Sequence, residues 1–219
     1  WNSVRGMSDK EAEEVLRDPK MRKRVMKARN AYRDKNCGRP PLKAKCRTVA
    51  IGCNDPDLSS LQRNSPTAHR LSLFVLLQFF ATGLEKSTEA WKLACGDVKA
   101  AFLQGTQQKG RPGRLFLRPP RDPFVTRAKA FPHMLYEIIG NIYGLADAPL
   151  MWCQEVCDRL FALGFHAHSL DPMMFYTLDT FGKLVCLIIV HVDDFLITYT
   201  SALFDIKPLF DAFEWGSLV

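Results

Sequence analysis

No run of apolar residues in this chain is long enough to cross a bilayer. The most apolar stretch, Leu71 to Phe80, contains Ser72 and Gln78 and is flanked by Arg70 and Lys86, well short of the roughly 20 residues a membrane helix needs. A charged-then-apolar leader is also missing at Trp1, so neither secretion nor membrane insertion is expected. Cys37, Cys46, Cys53, Cys95, Cys153, Cys157 and Cys186 form no CxxC pair, and no His stands at zinc-finger spacing. Cys37, Cys46 and Cys53 offer three thiolates without a fourth ligand, so scattered thiols in a reducing compartment fit better than a zinc site. Internal repeats and low-complexity tracts are absent. Acidic residues are scarce at the N-terminus, where residues 1 to 47 hold 15 Lys+Arg against 6 Asp+Glu, while the remainder holds 15 against 17. Such a basic segment suits a polyanion, with a solvated helical face as the plainer alternative. The chain begins without Met and stops at Val219 just after an aromatic run, and it reads as a segment of something longer.

What is present is enough apolar material for a real core, 47% of 219 residues, as one large domain or two small ones. The stretch from Leu187 to Thr200, LIIVHVDDFLITYT, has two β-branched, apolar runs around an acidic pair and predicts a tight hairpin with Asp193 and Asp194 at its tip. Adjacent carboxylates beside apolar strands repel each other and lose hydration. Either a pKa rises there or a cation sits there, unless the pair is only a solvated turn. Oxygen ligands of this kind suit Mg²⁺.

Ser8 with Glu11 makes a capping box, and Pro19 starts a second helix in which Met21, Val25, Ala28 and Tyr32 recur at helical spacing. Asn36 to Pro41 is a Gly/Pro break, Arg47 to Gly52 a strand, and Asn54 to Asp57 a polar turn. Ser65 and Pro66 start a helix reaching Gly83, whose Leu71, Phe74, Val75, Leu77 and Phe80 imply deep burial. Trp91 to Val98 is a strand with Asp97 at its carboxyl end, followed by a short helix over Ala100 to Gln104. QQKGRPGR reads as an exposed basic turn, Leu115 to Leu117 and Met134 to Ile139 as strands, and the Pro/Arg-rich stretch to Pro132 as irregular. Asp147 is placed to cap a helix over Ala148 to Gly164. Strands at Met173 to Leu178 and Leu184 to Val190 precede the hairpin, and a helix over Ala202 to Phe213 leads into a last strand. The order from Trp91 onward predicts an α+β fold, an antiparallel sheet with helices on one side and carboxylates at one edge. Asp97 beside Asp193 and Asp194 would hold two divalent cations, although spacing alone does not bring the three together.

GDVKAAFLQG at Gly96 to Gly105, NIYGLADAPLMW at Asn141 to Trp152 and HVDD at His191 to Asp194 resemble, in that order, the blocks DVKTAFLHG, LYGLKQAPRAW and YVDD of reverse transcriptases from copia-type LTR retrotransposons. KCRTVAIG at Lys45 to Gly52, NSPTAHRLS, SLDPMMFY and FEWG are similar to further segments of that family, so the resemblance runs from Lys45 to Leu218. It implies the fingers and palm of an RNA-directed DNA polymerase of a Pol polyprotein, without a thumb. The implied divisions are a basic helical segment over 1–44, outside the match, a fingers-like part over 45–90, and a palm over 91–219.

The resemblance further implies that Asp97, Asp193 and Asp194 are the catalytic carboxylates, which with the Val98 carbonyl hold two Mg²⁺, or Mn²⁺ instead. The implied reaction is attack of a primer 3′-hydroxyl on the α-phosphate of a dNTP. Phe102 matches the aromatic that excludes a ribose 2′-hydroxyl, or is an ordinary core aromatic. Lys45 and Arg47 match cations that meet the triphosphate, or are exposed strand charges. The backbone of Ala100 and Ala101 opens a helix toward phosphate, and Tyr143 with Gly144 matches the turn against the nucleotide, although any tight turn wants Gly. Pro149 and Trp152 read as structural. Lys23, Arg24 and Lys27 on the N-terminal helix are candidate nucleic-acid contacts. The implied partners are an RNA or DNA template, a DNA primer, dNTPs and the rest of the polyprotein, with no membrane, in a cytoplasmic particle or the nucleus. Three departures bear on activity: His191 replaces Tyr, Ile51 stands where a basic residue is frequent, and Gly216 stands where the family has Lys. They favour the alternative of a decayed element that keeps the fold and binds nucleic acid; a two-metal nuclease gives no reason for Phe102 or the fingers block.

Overall fold

The computed structural model describes residues 3–85, 91–105, 111–122 and 131–219. In chain order the elements are β1 (Val4–Gly6), α1 (Asp9–Arg17), α2 (Pro19–Arg22), β2 (Val25–Asp34), β3 (Ala44–Ala50), a 3₁₀ turn (Gly52–Asn54), α3 (Arg70–Glu85), β4 (Trp91–Val98) and α4 (Ala101–Gln104). They continue with β5 (Leu115–Arg118), β6 (Tyr136–Ile138), α5 (Ala148–Ala162), β7 (His166–Ala167), β8 (Met174–Leu178), β9 (Leu184–His191), β10 (Asp194–Thr200), α6 (Lys207–Asp211) and β11 (Trp215–Leu218). Among the described residues no helix is long and apolar enough to cross a membrane. The chain folds into two compact units, Trp1–Arg63 with Phe102–Met151 and Asn64–Ala101 with Trp152–Val219. Each takes two stretches of sequence.

The first unit is built on a five-stranded sheet in the order β1-β6-β5-β2-β3. Its pairs are antiparallel except β2 with β5. Ser8 caps α1 with the reciprocal Glu11 contact that the sequence predicts. The Ser8 backbone N–H and hydroxyl, then Arg5, hold the Glu11 carboxyl down at about 2. The helix expected over Pro19 to Tyr32 is overturned: α2 ends at Arg22, and β2 pairs with β3 from Ala28 to Asp34 and with β5 from Val25 to Lys27. Long-range pairing decides the outcome here, over a pattern that also fits a helix. Met26, Ala50, Leu115, Leu117, Ile138 and Leu145 form one core. Met7, Ala12, Val15, Phe116 and Leu135 form a second one under α1.

The second unit has a six-stranded antiparallel sheet in the order β11-β4-β10-β9-β8-β7. Val185 to Val190 are buried without a break, because both faces of β9 are covered. Leu76 of α3 packs on Met174, Leu187 and Ile189. Side chains of the opposite parity meet α5 and the α6 region, as in Phe175 with Phe161 and Phe195 with Phe213. α3 starts at Arg70 rather than Ser65, and the deep burial expected of it is not seen. It touches the sheet through one stripe that includes Ser72 and Leu76, leaving Leu71, Phe74, Val75 and Leu77 exposed and Phe80 half-buried. The last helix is also shorter than expected, Lys207 to Asp211. Gln107 to Gly110 of the basic turn and residues 123–130 of the irregular segment lie outside the described residues.

Candidate active site

Asp97 lies one residue before the end of β4, directly opposite Asp194, the first residue of β10, and Asp194 in turn faces His191 at the end of β9. Directly paired residues share a sheet face, so the two carboxylates stand side by side. Asp193 occupies the two-residue turn between β9 and β10. One carboxylate oxygen from each of Asp97, Asp193 and Asp194 lies within 4.8 Å of the others. Burial, then Asp193, then Asp97 push the Asp194 carboxyl above the usual range, and the His191 imidazole opposes them.

The hairpin tip is held by its own backbone. Val192 is a β-branched residue at φ 60, a conformation that persists only when its surroundings enforce it. The buried indole of Trp152 donates from Nε1 to the Val192 carbonyl at 2.6 Å, and Val98 N–H donates to the Asp193 carbonyl at 2.8 Å. Trp152 therefore sets the tip that carries Asp193. On the other edge, a Cβ at Gly216 would stand 2.7 Å from Asp97 Oδ2. Gly216 lies at a register shift in β11, and the missing side chain leaves room for the Asp97 carboxylate. Lys99 pairs with Glu214 at 2.6 Å. A cavity of ≈ 580 Å³ opens beside the carboxylates, walled by Cys95, Leu196 and Ile189 of the sheet and Leu73 of α3.

Three hard oxygen donors with no thiol or imidazole among them suit Mg²⁺ or Mn²⁺.

The remaining predicted residues fall in both units. Ala100 is in the turn after β4 at φ 50, and the helix opens only at Ala101, which is buried. In the first unit, Arg47 on β3 holds its guanidinium 5.3 Å over the Tyr143 ring, and Tyr143 meets Phe102 edge-on at 5.7 Å. Lys45, opposite Arg33, lies along the same strand and lines a groove of ≈ 550 Å³ with Tyr32 and Arg33. Gly144 has φ 92, and a Cβ there would come within 2.0 Å of the Ala50 carbonyl oxygen. A Cβ at Gly52 would come within 2.1 Å of the Gly144 carbonyl oxygen. The two backbones touch where no side chain fits, which is the physical reason for both glycines. Lys23 and Lys27 are exposed, at the end of α2 and on β2 rather than on a helix. Arg24 is occupied differently from expectation. It forks onto Asp57 at 2.9 and 2.7 Å and also donates to the carbonyls of Arg114 and Gly113.

One residue escaped the sequence reading. Arg111, inside the stretch expected to be an exposed basic turn, has a side chain only 4% exposed. Its Nη1 donates to both Asp55 oxygens at 3.1 Å and to Asp57 at 3.2 Å, and its Nη2 donates to Asp147 at 2.7 Å. Asp147 does stand just before α5, with its carbonyl accepting from Met151 N–H, but its carboxylate points to Arg111. The available signal was three Asp residues in two polar segments, each of which needs a donor once buried.

Residues 10–211 match the family described as reverse transcriptase (RNA-dependent DNA polymerase). A retrovirus-related Pol polyprotein from transposon RE1 of Arabidopsis thaliana is 30% identical over 155 residues, 70% of this chain and 10% of that protein. A putative transposon Ty5-1 protein of Saccharomyces cerevisiae is 30% identical over 105 residues, 48% of this chain and 31% of its own length. The chain thus spans between a tenth and a third of these curated relatives. A solved telomerase from Candida albicans, in complex with a TWJ fragment of telomeric RNA, aligns with all of this chain and 43% of its own at a TM-score of 0.48 and 10% identity. With its match covering all but the two ends of the sequence, the chain belongs to the reverse transcriptase (RNA-dependent DNA polymerase) family and is similar to the reverse transcriptase region of copia-type transposon polyproteins.

Proposed function

We propose that this chain is the fingers and palm of an RNA-directed DNA polymerase that adds dNTPs to a primer 3′-hydroxyl on an RNA or DNA template. The observation that carries the proposal is the meeting within 4.8 Å of Asp97 and the adjacent pair Asp193 and Asp194, which lies more than 90 residues further along the chain. In this reading the three carboxylates, with the Val98 carbonyl, hold two Mg²⁺. Bound there, such ions supply Lewis acidity to the primer hydroxyl and neutralise charge on the leaving pyrophosphate.

The chain's own residues bind and orient. Asp194, its carboxyl raised above the usual range by burial first and then by Asp193 and Asp97, would be one of the ligands. Trp152 and Val98 keep the hairpin tip from turning away. Arg47 and Lys45 receive the triphosphate, the planar fork of Arg47 matching phosphate oxygens. The Ala100 and Ala101 backbone faces phosphate. Tyr143 and Gly144 form the surface against the nucleotide, and the ring of Phe102 excludes a ribose 2′-hydroxyl. The template, primer and remaining polyprotein segments are the partners of this reading.

His191 and Gly216 favour a second reading, a decayed element that retains the fold. Primer extension by the full-length polypeptide that contains this chain separates the two. With Mg²⁺ and dNTPs, Asp193→Asn is expected to lower incorporation by about a hundredfold or more, the equivalent of roughly 3 kcal/mol of charge stabilisation. Equal incorporation by both proteins removes the catalytic assignment, and no incorporation by the unaltered protein establishes the decayed element.

A further inference from the structure

We infer that Arg111 and Asp147 are positioning residues for the nucleotide-binding turn: their buried ion pair fixes Tyr143, and with it Arg47 and Phe102, for a nucleoside triphosphate. This rests on the polymerase reading above.

Three carboxylates, Asp55, Asp57 and Asp147, surround two guanidinium groups, Arg111 and Arg24. The Arg111 side chain is 4% exposed, and those of Asp55 and Asp147 are 0% exposed. Removing charges from water costs several kcal/mol per ion, and an apolar cluster of similar volume generally stabilises a fold as well or better. What the guanidinium adds is direction, because its planar fork holds its partners at fixed angles. Here Nη1 grips the segment after β3 through Asp55 and Asp57, while Nη2 grips the turn before α5 through Asp147.

Besides the Leu145 and Ala148 side chains in the core, polar contacts hold that turn at each end. At one, Gly144 and Gly52 lie backbone to backbone and the Tyr143 carbonyl accepts from Ala50 N–H at 2.8 Å. At the other, three residues further along, stands Asp147 on Arg111. Tyr143, at the first point, meets both Arg47 and Phe102. A cation for phosphate and two aromatic rings for sugar and base are the chemistry of a nucleoside triphosphate. Without the Asp147 contact the turn keeps its glycine end and the Leu145 and Ala148 side chains in the core but loses its side-chain tie to Arg111, which loosens the placement of Tyr143. A displacement of about 1 Å at such a surface costs up to roughly a hundredfold. The metal-binding carboxylates belong to the other compact unit, so the loss falls on nucleotide affinity rather than on the chemical step.

One oxygen of Asp147 makes the bond to Arg111, and Oδ2 is buried without a hydrogen-bond partner. Asp147→Asn keeps the accepting oxygen and the side-chain shape, whereas Asp147→Ala keeps neither. In single-nucleotide incorporation by the full-length polypeptide, Asp147→Ala is expected to raise the dNTP KM about tenfold with kcat within about twofold, and Asp147→Asn to stay within about twofold in both. A KM unchanged in Asp147→Ala, or a fall in kcat alone, overturns the assignment. If Asp147→Ala does not fold, Arg111→Lys decides in its place, since it keeps the charge but loses the fork. A raised KM with an intact fold supports the assignment, and an unchanged KM overturns it. Should the unaltered protein incorporate nothing, the polymerase reading fails. The anchoring is then judged from amide exchange at Gly144 to Ala148, where faster exchange in Asp147→Ala than in Asp147→Asn upholds it and equal rates reject it.

Discussion

Single side chains at this site do work that their residue type does not announce. Trp152 holds the carbonyl of Val192, the positive-φ turn residue before the acidic pair, and its ring also meets Phe213 edge-on at 6.2 Å. Trp152→Phe should preserve the ring contact and lose the hydrogen bond. The expected result is a loss of about 1–2 kcal/mol in urea unfolding, with a several-fold weaker Mn²⁺ affinity by calorimetry as the tip loosens. Arg24 is a second case. Its hydrogen bonds are the main reason the Asp57 carboxyl lies below its usual range. A carboxyl depressed in the folded state contributes stability above its unfolded pKa of roughly 4 and loses it as pH falls through the lower folded value. Arg24→Met is therefore expected to cost about 3 kcal/mol at pH 7 and distinctly less near pH 3, measured by urea unfolding at both.

Among the elements, those with local signals were legible. The Ser8 capping box, the acidic hairpin, β4 ending near Asp97 and α5 after Asp147 all stand where the sequence predicts them. β2 was not legible, because Val25, Ala28 and Tyr32 satisfy a helical spacing and its strand character depends on β3 and β5, which lie elsewhere in the chain. Arg111 escaped for a related reason: a cation between Gly and Pro looks solvated until distant acids enclose it. The strand assignment has its own consequence. Alternation places Arg29, Arg33, Lys45 and Arg47 on one face of the β2–β3 ladder. If that face meets nucleic acid, Arg33→Gln should lower the slope of log affinity against log salt for RNA by about one unit, read from a fluorescence titration. α3 offers a contrast within one helix. Leu76→Ala should cost about 2–4 kcal/mol while Phe74→Ser stays within about 0.5 kcal/mol, because Leu76 is 0% and Phe74 52% exposed.

Over the whole molecule, the net charge of +7 favours anionic partners, as the template and primer of the proposed polymerase reading would be. The division into two units carries a consequence for biosynthesis. In the first unit's sheet, β6 and β5 lie between β1 and β2. β2 and β3 can pair with each other at once, but β1 has no edge to share until β6 emerges, and the sheet stays open until residues beyond Leu115 are made. The second unit waits longer still, since β4 finds its neighbours β10 and β11 only near Val219. Translation should accordingly produce a prolonged interval in which both halves are begun and neither is closed, and pausing or chaperone capture during that interval would govern how much native protein is obtained.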